Sequence, residues 1–100
     1  MDNDFEQVTA EFNTKAQRLF FLSYERFRYS TKGLDRKKDE NVFQQQLGKY
    51  MYTLKLQLEG IASELLQKNK TLKDIDKFSR VLIDKINSYL SEFTQKSKAL

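Results

Sequence analysis

The sequence predicts an all-α fold: three long antiparallel helices, over about 4–30, 39–69 and 71–98, in an up-down-up bundle that closes alone or is completed by oligomerisation. Three observations carry that expectation. Apolar residues recur at three- and four-residue steps through almost the whole chain. Proline is absent, so the strongest helix breaker is missing and only Gly33, Gly48 and Gly60 remain as weak points. Only two short polar junctions interrupt the pattern, and short junctions place neighbouring helices antiparallel.

In the first segment, Phe5, Val8, Phe12, Ala16, Leu19, Phe20, Ser23 and Phe27 fall on one helical face. Asp2, Asn3 or Asp4 is expected to cap it, and an acidic first turn suits the helix dipole. Gly33 is the expected left-handed stop, followed by a polar run to Lys38. The second segment, with Asp39 as its expected N-cap, gathers Phe43, Leu47, Tyr50, Met51, Leu54, Leu58, Ile61 and Leu65. Gly48 leaves open a split of this helix into two. Asn69 and Thr71 punctuate the second junction, and Thr71 followed by Asp74 has the form of a capping box. The third segment gathers Leu72, Ile75, Ser79, Leu82, Ile86, Tyr89, Phe93 and Leu100, interrupted only by Lys96. Phe78, Ile83 and Leu90 widen that stripe beyond a two-stranded seam, which favours a bundle.

One hundred residues suffice for one domain, 1–100, with one thin core. A hydrophobic share of 39% with thirteen aromatics argues against disorder despite the high charge. The chain has no cysteine, which removes disulfides and thiolate chemistry and gives no indication of an oxidising compartment. The longest apolar run, Leu19 to Leu22, is far too short for a membrane span. The N-terminus opens on Asp2, Asp4 and Glu6 where a signal peptide needs a basic start. The expectation is therefore a protein of the cytoplasm, or of the nucleus if the source is eukaryotic, with no membrane partner.

Catalysis is not expected, and neither is a cofactor or a metal. With no histidine and no cysteine, the usual general base, the usual nucleophile and most transition-metal ligands are missing. A carboxylate-bridged metal pair in a bundle needs core-facing Glu, and none of the three stripes contains Asp or Glu. Asp35, Asp39, Glu40, Asp74, Asp76 and Asp84 fall on polar faces or helix starts, where capping and surface charge account for them.

Two features point to binding. Arg18, Arg26, Arg28, Lys32, Arg36, Lys37 and Lys38 oppose only Glu25 and Asp35 over residues 18–38, a local charge of +5 between acidic flanks. Tyr24 and Tyr29 lie within this stretch and off the core stripe. Cations flanking exposed aromatics suit an acidic protein partner, or nucleic-acid backbone with stacked bases; the plain alternative is a solvated helix end complementing its dipole. The second feature is apolar side chains facing away from the stripes. Phe21 points almost opposite the first core face, and Val42, Tyr52 and Leu56 form a sparse second stripe beside Lys49 and Glu59. Scattered surface apolars are ordinary, but several on two helices suggest a surface covered by a second copy or a partner.

The sequence therefore points to a non-enzymatic helical-bundle protein-interaction module, a small complex subunit or an adaptor/chaperone. Phe21, Tyr24, Tyr29, Tyr52 and Leu56 would anchor a protein partner or a second copy, and the basic arc would steer it. The alternative is a nucleic-acid-associated helical protein holding the phosphate backbone through residues 18–38. The size and layout resemble small helical assembly subunits and secretion-type chaperones, a likeness of layout carried by no motif.

Overall fold

The computed structural model describes residues 2–71 and 74–100, with side chains from Glu6 onward. Three helices fill it: α1 (Asp2–Ser30), α2 (Glu40–Lys68) and α3 (Ile75–Lys98). There is no strand among the described residues. Phe5 and Leu72 of the expected core, and the expected capping side chains of Asp2, Asn3 and Asp4, lie outside the described ones.

The junctions show why each helix stops where it does. The first helix ends as the Leu34 N–H bonds the Thr31 carbonyl at 3.1 Å, a turn that places Gly33 at φ +90°. That conformation suits glycine because no Cβ obstructs it. Asp39 stands at the N-cap of α2, yet its side chain makes no cap bond. Its carboxylate turns back to accept the Asp35 N–H at 3.0 Å, while Asp35 accepts from the Lys37 N–H at 2.9 Å. The two acids thus tie the loop rather than the helix start, using the local side-chain bonding at which Asp excels. At the far end of α2, Asn69 bonds the Leu65 carbonyl twice, from its backbone N–H and its side-chain amide. The capping box expected at Thr71 does not start α3. The helix begins at Ile75 behind Asp74, which takes a left-handed φ of +63° and makes no side-chain cap bond. Asp is one of the few residues that tolerate that turn. Gly48 does not split α2, which runs unbroken through both Gly48 and Gly60.

Cross-contacts fix the chain directions. Phe27 meets Phe43 at a ring separation of 5.4 Å, while Glu11 approaches Lys68 at 3.9 Å, so α2 descends along α1. Thr94 meets the Met51 sulfur at 3.1 Å, while Ile86 shares a groove with Ala62, so α3 ascends along α2. Phe12 faces Tyr89, Phe20 faces Phe93 and the Tyr24 hydroxyl reaches the Lys96 carbonyl, so α1 and α3 run the same way. The result is a rod of 54 × 18 × 18 Å. Its core is densest in aromatics towards the loop 31–39, where Phe20, Phe27, Phe43 and Phe93 cluster, and towards the other end Phe12 and Phe78 are mixed with Leu58, Leu65 and Leu82.

Some core assignments need correction. Ile83 and Leu100 were expected inside and are 53% and 44% exposed. Ile83 sits on the α2-facing flank of α3, where small Ala62 opposite leaves the groove open. Leu100 lies beyond the helix end at Lys98, so its register is lost, and Ser97 takes the buried position instead. Ser97 tolerates full burial because its hydroxyl donates to the Phe93 carbonyl at 2.7 Å. Tyr24, expected off the core, packs edge-on against Phe93 at 5.6 Å and stacks on Phe20 at 6.3 Å.

Candidate interaction surfaces

The parallel course of α1 and α3 brings two helix C-termini to one end of the rod, beside the loop 31–39. Both last turns carry cations, Arg28 in α1 and Lys96 and Lys98 in α3. Cations there offset the partial negative charge of two sets of unpaired carbonyls. Part of the basic stretch therefore serves the fold.

Arg36 is the clearest case. Its guanidinium lies 3.9 Å over the Phe43 ring, donates from Nη1 to the Leu100 carbonyl at 3.2 Å, and meets Glu40 at 3.4 Å. It pins the loop, the start of α2 and the end of α3 together, and leaves the set of free cations. Replacing Arg36 by Ala should cost about 1–2 kcal/mol in urea unfolding, the sum of a half-buried cation–π contact and a charge-assisted bond. Lys at this position should restore less than half of it, since the planar stack on Phe43 is lost.

The structure sorts the remaining residues. Phe21 is 63% and Tyr29 80% exposed. Phe21, Glu25 and Arg28 follow at four- and three-residue steps, so they share a face of α1 that also takes in exposed Arg18, and exposed Lys32 follows in the turn beyond the helix end. That face leads into a shallow concavity lined by Glu25, Arg28, Tyr29, Thr31, Lys32 and Leu100. Arg28 bonds Glu25 at 3.2 Å across it. Lys37 and Lys38 are exposed on the adjoining loop, whereas exposed Arg26 points from the other side of α1.

Tyr52 and Leu56 are 63% and 49% exposed, on the side of α2 turned away from buried Leu54. They do not join Phe21. Phe21 occupies the flank of α1 next to Tyr24, which packs on α3, while Tyr52 and Leu56 face outward from α2. The single strip expected from the sequence is therefore two surfaces, one on α1 and one on α2. A third feature, not anticipated, is a groove between α2 and α3 with Ala62, Leu66, Ile83 and Ile86 on its floor and Lys55 and Glu59 on its rim. The small side chain at Ala62 was the available signal for it.

Local contacts shift the protonation of Glu40 and Tyr89. The Gln44 amide, and behind it the Arg36 guanidinium, hold the Glu40 carboxyl below its ordinary value. Burial pushes the Tyr89 hydroxyl up; it donates to Asn13 Oδ1 at 3.3 Å between α1 and α3. Both are structural contacts in the bundle, away from either exposed apolar surface. Among the described residues no three carboxylates converge on a common point, and no helix is long and apolar enough to cross a membrane. No protein-family model matches the chain, and no curated protein or solved structure matches it either.

Proposed function

We propose that this chain is a non-enzymatic protein-interaction module, a small complex subunit or adaptor/chaperone of the cytoplasm. One observation carries the reading: the core is closed by its own side chains, yet Phe21, Tyr29, Tyr52 and Leu56 stand largely in solvent. Large apolar side chains that folding does not use are the usual anchors of protein interfaces, aromatics above all. On α1, Phe21 and Tyr29 form the anchor, and Arg18, Arg28, Lys32, Lys37 and Lys38 select an acidic partner and speed its approach.

The test is a pull-down from native extract with the intact chain and with Phe21→Ser/Tyr29→Ser. The double variant should keep its helicity and unfolding midpoint and lose the specifically bound protein. Unfolding of the variant would instead assign both residues to the core, and unchanged capture would remove the α1 surface from the reading.

A second reading rests on the nearness of Tyr29 to Arg28 and Lys32 around one concavity. An exposed ring between cations can stack on a base while the cations hold phosphates. In that case retention on immobilised single-stranded DNA or RNA falls steeply with salt. Reversing the charge of Arg28 and Lys32 then lowers the slope by about one unit or slightly less for each phosphate no longer held. Weak, salt-insensitive retention eliminates it.

A further inference from the structure

The outer face of α2 carries a pattern that the chain itself does not use. Gln45, Lys49, Tyr52, Leu56, Glu59 and Ser63 alternate four- and three-residue steps, the spacing of a seam between two helices. All six are exposed, on the side opposite the buried stripe through Leu54. Lys49 and Glu59 make no ion pair or hydrogen bond among the described residues.

The order of these residues is self-complementary. Turning the helix end for end about an axis at the level of Leu54 exchanges Tyr52 with Leu56, Lys49 with Glu59, and Gln45 with Ser63. Every layer then sets apolar against apolar, cation against anion, or amide against hydroxyl. A symmetric dimer requires this of its surface, because each residue meets its counterpart twice; an unrelated partner imposes no such symmetry.

Gly48 and Gly60 obey the same rotation. Each lies one turn beyond the Tyr52–Leu56 pair, and a Cβ at either would meet nothing within the chain. Both weaken the helix without relieving any contact inside the molecule, and both leave space beside the pair for a second backbone. The antiparallel arrangement also carries the two basic loops 31–39 to opposite ends of the assembly. They are then separated by roughly the length of α2, about 40 Å, well beyond the screening distance at physiological salt.

We propose that α2 is the interface of a symmetric antiparallel homodimer, with Tyr52 packed on Leu56 of the second copy and Lys49 paired with Glu59 of the second copy. This rests on the reading of Tyr52 and Leu56 as interaction residues and adds their occupant and register. It does not depend on what binds the α1 surface.

Sedimentation equilibrium of the full chain over a concentration series provides the test. The mass should rise from 11.9 kDa towards twice that value. Lys49→Glu alone and Glu59→Lys alone should each weaken association roughly tenfold, because each places like charges together at two symmetry-related sites. The double variant should recover the dimer. So should an equimolar mixture of the two single variants, in which opposite charges again face each other at both sites. Leu56→Asp should hold the chain monomeric with its helicity unchanged. A wild-type chain that stays monomeric throughout overturns the proposal, while leaving partner capture through Phe21 and Tyr29 to stand or fall separately. A dimer indifferent to both charge reversals, or one not recovered in the double variant and the mixture, also overturns it. Monomeric wild type whose α2 variants fail to capture a protein that the wild type holds would overturn it too, and assign the face to a different partner.

Discussion

Replacing Phe93 by Ala should remove about 3–5 kcal/mol of stability, the range for truncating a fully buried aromatic. Phe93 is 0% exposed and meets Phe20, Tyr24 and Phe27 at ring separations of 5.6, 5.6 and 5.7 Å. Edge-to-face pairs add about 0.5–1.5 kcal/mol each beyond the area they bury, so the upper half of that range is expected. A domain of this size has only about 5–15 kcal/mol in total. The variant should therefore show a much lower urea midpoint, or lose its cooperative transition altogether. The effect is concentrated here because at Phe93 the third helix meets three aromatic rings of the first at once. Phe93→Leu fills most of the same space and should lose less than half as much. A drop below about 1 kcal/mol for Phe93→Ala would mean that the site collapses freely, and that the aromatic cluster does not join the first and third helices.

The three helices were legible because their periodicity is long and no proline interrupts it. Their starts were less so. Thr71 through Asp74 satisfies a capping pattern, but the chain has to reverse direction there, and the left-handed Asp74 delays the helix to Ile75. Tyr24 was misjudged because a straight stripe through Phe20 and Phe27 takes no account of the neighbouring helix. Once α3 packs on that flank, a residue to one side of the stripe becomes part of the core. Ile83 and Leu100 are the converse: one faces small Ala62, and the other follows the end of the helix.

The candidate surfaces were half legible. Phe21, Tyr29, Tyr52 and Leu56 read as outward-facing from spacing alone, and they are exposed. Their division into two surfaces was not readable, since sequence spacing relates residues within a helix and says nothing of how two helices are rotated against each other. Arg36 reads as a surface cation in the sequence, whereas in the fold its guanidinium lies over the Phe43 ring and bonds the Leu100 carbonyl. The symmetry of the α2 outer face emerges only when its inner face is known, because the axis is defined by buried Leu54.

Gly48→Ala and Gly60→Ala should each raise the stability of the isolated chain by about 0.8–1 kcal/mol, and the pair by nearly twice that. Neither glycine has a positive φ, and a Cβ at either position meets no atom within 4 Å, so nothing inside the molecule opposes the gain in helix propensity. The two positions are separated by about three helical turns and share no neighbour, so their effects should add. For a chain of this length each kcal/mol corresponds to roughly 4–8 °C in Tm, and the double variant should melt at least several degrees higher at low protein concentration. The gain must be read there, because association adds its own concentration-dependent stability. A loss of stability in dilute solution would show that some part of the chain packs on these glycines. The more informative comparison is between the two assays. Two exposed glycines in one helix are a standing cost to the monomer, and if alanine removes that cost while weakening self-association, close approach of a second α2 is the physical reason they are there. Stability gained with association unchanged would mean that the second helix does not come near enough to need them.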